Sequence, residues 1–121
     1  MGNNQQIEIR GLRVKTFIGV PDEERAAAQE VRVHVKVDVA TSFDDMTDDI
    51  DQTLDYAALA ADIQALGAAR SRRLIETLAS DIAELVLKFP TVSGVDVTIE
   101  KFILPDTDCV AVHLHRDATG F

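Results

Sequence analysis

The apolar positions of the chain follow two periods, two and then three to four, and return to two. Ile7 and Ile9 share one parity, and Leu12 and Val14 share the other. Alternation of this kind predicts a strand with one buried face over Ile7 to Phe17. The change of phase at Gly11 predicts a bulge or bend there. Val31, Val33, Val35, Val37 and Val39 then alternate with Arg32, His34, Lys36 and Asp38. This second strand has one polar face and, following the first directly, is expected to pair with it antiparallel. Tyr56, Leu59, Ala60, Ile63, Leu66 and Gly67 recur at helical spacing, with Thr53 or Asp55 available as a cap and Gly67 as a stop. Ile75, Leu78, Ala79, Ile82, Leu85, Val86 and Phe89 make a more regular stripe, ended by Pro90. Val95, Val97 and Ile99 form a third alternating run. Val110, Val112 and Leu114 form a fourth, with Ala111, His113 and His115 facing the other way.

The connections are polar. Ile18 to Arg25 is turn-rich and predicts a loop or a single helical turn. Ser42 to Asp55 carries six aspartates, Asp44, Asp45, Asp48, Asp49, Asp51 and Asp55. A calcium loop needs a glycine at its sixth position and a glutamate at its twelfth, and neither stands in register, so a solvated loop is expected. Ala68 to Arg72 is a short link bearing Arg70 and Arg72, with Arg73 just beyond.

The element order, ββααββ, predicts an α+β fold: a four-stranded antiparallel sheet with both helices on one face. Its two open edges favour joining other copies edge to edge. At 121 residues the chain supports one core, hence a single domain over 1–121, with 1–6 expected to be flexible and 117–121 to form a tail.

Charge and composition narrow the partners. A net charge of -9 argues against a nucleic-acid backbone and against an anionic membrane surface. No apolar run approaches the roughly 20 residues of a membrane span, and Met1 to Gln6 lacks a signal-peptide core, so a cytoplasmic protein is expected. The single cysteine, Cys109, rules out an internal disulfide framework and Cys-rich zinc sites.

Nucleophilic catalysis finds no serine, threonine or cysteine elbow, and there is no Gly-rich phosphate loop. His113 and His115 share a strand face and His34 could join them as metal ligands, but histidines on a polar strand face are usually just solvated, and no metal is expected. What remains is Glu24, the lone Tyr56, Glu76 and Lys101. Each has a plain structural explanation. Glu76 suits a helix dipole in the first turn, and Tyr56 a core rim. Lys101 shares the parity of Val95, Val97 and Ile99; it either points toward the apolar face at the strand end or snorkels to water. Together they offer a carboxylate anchor and a Tyr/Lys pair for moving protons.

At these residues the chain resembles the dihydroneopterin aldolase family. The matching stretches are Gly11-Leu12-Arg13, Ile18-Gly19-Val20 through Glu23-Glu24-Arg25 to Gln29, Asp55-Tyr56, Leu74-Ile75-Glu76-Thr77-Leu78-Ala79 and Lys101, in family order and spacing over roughly Ile7 to Arg116. The resemblance implies the tunnelling fold, with subunits joined into rings, often tetramers stacked as octamers, and pockets at the seams. It implies Glu76 as the anchor of a pterin substrate, with Leu54 and Ile75 lining the pocket and contributing backbone groups. Glu24 and Lys101 would contact the trihydroxypropyl side chain and the waters that shuttle protons. Tyr56, from the neighbouring subunit, would handle the proton at the carbon being released. The implied reaction is retro-aldol cleavage of 7,8-dihydroneopterin without cofactor, metal or Schiff base.

One position departs from the family pattern: Phe102 follows Lys101 where many members have proline, which bears on the aim of the lysine. A sister branch, the dihydroneopterin triphosphate 2'-epimerases, also resembles the chain, over Leu12 to Gly19. It is the second reading, with Arg70, Arg72 and Arg73 as candidate cations for a triphosphate. An inactive pterin-binding ring protein is the third, and the retained Glu24, Tyr56, Glu76 and Lys101 set argues against it.

Overall fold

A computed structural model describes residues 5–118. The sheet is built outward from the run of alternating valines. Strand β1 spans Gln6–Thr16 and strand β2 Gln29–Val39, joined through the short helix α1, Asp22–Arg25. Helices α2, Tyr56–Ala69, and α3, Ile75–Leu87, follow, then strands β3, Val92–Lys101, and β4, Val110–Asp117. The strands lie in the order β1-β2-β3-β4, every pair antiparallel. Strand β1 starts at Gln6 and β4 ends at Asp117, so both residues are part of the sheet. The rest of the expected flexible head and tail lies largely outside the described residues.

Register explains the core. Val33 pairs with Leu12 and Ile99, Val35 with Ile9 and Val97, and Val37 with Ile7 and Val95. These rows form one apolar face, and both long helices pack on it: α2 over β1, α3 over β3 and β4. The bulge falls where the phase change predicts it, between Ile9 and Leu12. Gly11 takes φ +72°, a backbone region that costs glycine nothing, and the extra residue returns Leu12 and Val14 to the same face as Ile7 and Ile9. The Gly11 N–H donates to His34 Nδ1 at 3.0 Å.

Asp55 caps α2, its carboxylate accepting from the Ala58 N–H at 3.1 Å. Gly67 does not stop that helix, which continues to Ala69. It is a contact point instead. A Cβ at Gly67 would sit 2.4 Å from Val14 Cγ1, so the missing side chain is what lets α2 lie close on β1. The acidic connector forms two 3-10 turns, Phe43–Asp45 and Ile50–Gln52, with no buried residue in either. Strand β3 starts at Val92, three residues before the first alternating valine, Val95.

The other sheet face is polar and its groups pair with one another. His34 Nε2 meets Glu100 Oε1 at 2.8 Å, Thr98 Oγ1 meets His113 Nδ1 at 2.8 Å, and His115 lies between Asp96 at 2.7 Å and Asp117 at 3.0 Å. No described helix is long and apolar enough to cross a membrane.

The packing at Gly67 predicts that Gly67→Ala destabilises the fold although alanine is the better helix former. Propensity favours the change by about 1 kcal/mol. Overpacking against Val14, a stiff and fully buried side chain, costs about 1–3 kcal/mol. Urea denaturation should show a lower midpoint for the variant; a raised midpoint would mean that the helix moves off the sheet freely.

Candidate active site

The site forms where three chain segments are stitched together at one end of the sheet. The loop after β1 runs beside the link between α2 and α3 as a short parallel bridge from Ile18 to Arg72. Gly19 N–H donates to the Arg72 carbonyl at 3.1 Å, and Arg72 N–H donates to the Phe17 carbonyl at 2.9 Å. The Arg72 guanidinium is almost wholly enclosed. It donates to Asp81 Oδ2 at 2.8 Å and to the carbonyls of Arg70 and Leu66 at 3.2 and 3.3 Å. The stitch brings α1, which carries Glu24, beside the N-terminus of α3, which carries Glu76.

Lys101 arrives from the third direction. It is the last residue of β3, two positions after the fully buried Ile99, so strand parity turns it toward the helix-covered face just where the apolar rows run out. Its Nζ lies 2.7 Å from Glu24 Oε2, with side-chain exposures of 13% and 20%. Gln29 Nε2 donates to the same carboxylate oxygen at 2.9 Å. The Lys101 ammonium, and then the Gln29 amide, hold the Glu24 carboxyl below its ordinary range by bonding to the charged form. Arg25 braces the loop, donating to the carbonyls of Gly19 and Val20 at 2.7 Å each and pairing with Asp22.

Glu24, Lys101, Glu76 and Arg73 line one hollow of about 290 Å³, with Val20, Leu74, Ile75 and Ile103 among its apolar walls. The hollow is open, and Val20, Leu74 and Ile103 on its rim are 61%, 46% and 54% exposed. Of the residues singled out from sequence, the fold therefore gathers Glu24, Glu76, Ile75 and Lys101. Tyr56 and Leu54 are not on its walls. Tyr56 is 61% exposed at the start of α2, and the Leu54 side chain, 1% exposed, belongs to the core.

The structure also sorts the three arginines. Arg70 and Arg72 share Asp81 Oδ2, each at 2.8 Å, and Arg73 alone lines the hollow. With Phe102 beside it, Lys101 reaches Glu24, and the Phe102 ring lies under the Arg32 guanidinium, 5.4 Å from centroid to carbon. Gln29 stands beside Glu24 although residue-by-residue reading assigns it no role there, and Arg73, a candidate triphosphate cation from sequence, lines the hollow. Gln29 reaches Glu24 only because the loop folds back over five residues, a contact with no periodic signature. Among the described residues, no group of three or more His, Cys, Asp or Glu side chains converges as a metal site. The imidazoles of the polar face bond instead to carboxylates, to Thr98 and to the Gly11 N–H.

Fold and site together define a ββααββ domain with a carboxylate–ammonium ion pair beside a second carboxylate. The dihydroneopterin aldolase (FolB) family model matches residues 7–115, and the chain belongs to that family. It is 30% identical over 102 residues to a dihydroneopterin aldolase of Streptomyces coelicolor, covering 84% of this chain and 86% of the relative. It is 26% identical over 96 residues to a dihydroneopterin triphosphate 2'-epimerase of Pseudomonas aeruginosa, covering 79% and 78%. A dihydroneopterin aldolase structure from Burkholderia thailendensis, bound to guanine, superposes with a TM-score of 0.73 at 28% identity over 93% of this chain and 90% of that one.

The paired Glu24 predicts a pH-dependent contribution to stability. Its folded pKa lies below its ordinary 4.5, so the contribution is complete above that value and is lost as pH falls through the folded value. Wild type should therefore exceed Glu24→Gln in stability at neutral pH, and the gap should close on acidification, because protonated glutamate and glutamine are nearly isosteric. Urea denaturation from about pH 7 to about pH 3 tests this; a gap that is constant or widens toward acid would show that the pair does not hold the charged form.

Proposed function

We propose that the protein is a 7,8-dihydroneopterin aldolase of the cytoplasm, cleaving its substrate to 6-hydroxymethyl-7,8-dihydropterin and glycolaldehyde. The observation that carries this reading is the Lys101–Glu24 pair at 2.7 Å inside a hollow whose wall also bears Glu76. Family membership supplies the substrate class. The guanine held by the Burkholderia relative presents the same amino group and ring N–H as a pterin. Two parallel donors of this kind suit a carboxylate, and Glu76 is the anchor. Ile75 adds an apolar wall.

The chemistry follows from the pterin itself. Protonation of the N5 imine nitrogen makes the ring an electron sink. Loss of the 2'-hydroxyl proton then breaks the C1'–C2' bond, releases glycolaldehyde, and leaves an enol at C1'; C1' takes up a proton as N5 gives up the one it gained, and the hydroxymethyl product forms with its imine restored. Every electron pair is accounted for within the substrate, so the reaction requires neither a Schiff base nor a metal. Lys101 serves as a hydrogen-bonding acid/base and Glu24 orients it and the waters around the trihydroxypropyl chain. Tyr56 handles the proton at the carbon being released and reaches the hollow from a neighbouring subunit in a ring, a tetramer or two stacked as an octamer, and Leu54, whose side chain lies in the core, contributes backbone groups to the pocket. The exposed Tyr56, the open sheet edges of β1 and β4, and the uncovered apolar rim support that arrangement.

Epimerase is the second reading, kept by the Pseudomonas relative. The arginines weigh against it. A triphosphate calls for several converging cations, and two of the three candidates are committed to Asp81.

Purified protein, with chelator present, should release glycolaldehyde from 7,8-dihydroneopterin; no release would end the aldolase reading. With dihydroneopterin triphosphate, inversion at C2' without cleavage would favour the epimerase. Lys101→Ala should slow turnover by at least about 100-fold while leaving pterin binding nearly unchanged, and Glu76→Ala should abolish binding. The reverse pattern would exchange their roles. Light scattering that shows only monomer would remove the shared-site arrangement.

A further inference from the structure

The Glu24–Lys101 pair is gripped from behind. Gln29 opens β2 and is only partly exposed, and its side-chain amide nitrogen has two hydrogens. One goes to Glu24 Oε2 at 2.9 Å and the other to the Ile18 carbonyl at 2.8 Å. Both donors are thereby used, and the amide is tied at once to the backbone of the site loop and to the reacting pair. Glu24 Oε2 accepts from Gln29 and from Lys101 together. An oxygen facing two donors is arranged for an anion; a carboxylic acid proton on that oxygen would meet one of them head-on.

Gly19 closes the third side. Its φ is +146°, and a Cβ built there would lie 2.3 Å from both Cδ and Oε1 of Glu24. The carboxylate thus rests against bare backbone, in space that any side chain at position 19 would fill. That backbone is itself fixed: the Gly19 carbonyl accepts from Arg25 and its N–H donates to Arg72.

We propose that Gln29 is a positioning residue for the reaction, holding Glu24 ionised and aimed at Lys101 across the space that Gly19 leaves open. What the aimed pair does rests on the aldolase reading; the clamp is a matter of geometry. A purely structural Gln29 would need only the Ile18 bond, which ties the loop to the sheet. The second bond, to the carboxylate, is what makes the residue matter for the charge state of the site.

The test uses the full-length protein with Gln29→Met, which keeps the volume and removes the donors, and Gln29→Glu, which sets a second carboxylate against the first. Two readouts are taken. In the first, Glu24 is titrated without substrate by the carboxyl ¹³C signal of glutamate-labelled protein, assigned with Glu24→Gln. Its midpoint should move to higher pH in Gln29→Met and further in Gln29→Glu. In the second, kcat for 7,8-dihydroneopterin cleavage should fall about tenfold in Gln29→Met, the loss expected for one hydrogen bond to a charged group, with KM changed far less. The acidic limb of the kcat/KM profile should move in the same direction as the ¹³C midpoint. An unmoved Glu24 titration in both variants overturns the proposal, even if thermal stability drops. If wild type releases no glycolaldehyde, the aldolase reading fails by itself, and the ¹³C titration still decides the role of Gln29.

Discussion

The structure depends on one buried cation. Taking a guanidinium out of water costs several kcal/mol unless its donors are met. For Arg72 they are met by Asp81 from α3 and by carbonyls at the end of α2 and in the link that follows. The same residue binds the β1 loop through its own N–H and carbonyl. A single residue therefore ties three segments: its backbone holds the β1 loop, more than fifty residues away in sequence, and its side chain holds the end of α2 and α3. The net energy of such a pair is small, but the backbone of the same residue excludes alternatives: any displacement of the loop leaves an N–H and a carbonyl without a partner. Since α1 hangs from that loop and α3 begins just beyond the arginine, the distance between Glu24 and Glu76 is set by a contact that neither of them makes.

The sheet divides labour in a way that places the lysine. One face is apolar and covered by helices; the other is a lattice of polar pairs among His34, Thr98, Glu100, His113 and His115. Strand parity assigns every β3 residue to one of these faces. Lys101 inherits the apolar side at the last position before the strand ends, where the helix cover stops and Glu24 waits. The lysine side chain is thus largely enclosed at the edge of an apolar-walled hollow, and its ammonium is met by one short ion pair. A lysine one residue earlier would face the polar lattice and be lost to the site.

Much of this was legible in the chain. The valine alternation gave β2 and its face, the phase slip gave the Gly11 bulge, Asp55 was readable as a cap, and the parity of Lys101 allowed the orientation that it adopts. These are local signals of period or turn chemistry. What was not legible depends on which segments meet. Arg70, Arg72 and Arg73 look alike in sequence, and only the position of Asp81 on α3 separates a buried strut and its neighbour from the one that faces the hollow. Gly67 resembles a helix stop until Val14 is seen beneath it. Gln29 closes one of the family stretches, yet nothing periodic marks what it touches, since its partners Ile18 and Glu24 lie on a loop held by Arg72.

Phe102 shows where a motif and its physical cause part company. A proline after the lysine would stiffen the backbone at the strand end and remove one N–H. Those effects constrain how β3 terminates, whereas the face that Lys101 takes is decided upstream, by the unbroken register of seven pairs that β3 keeps with β2 from Arg32↔Glu100 back to Asp38↔Gly94 and with β4 through Lys101↔Val110. Phe102 follows the last strand residue, and its ring lies under Arg32, a residue of the neighbouring strand. The contact ties the first residue of the exposed β3–β4 turn to the sheet. The departure from the family pattern therefore changes what borders the polar face and leaves the Glu24–Lys101 geometry to the paired strands and the loop clamp that fix it.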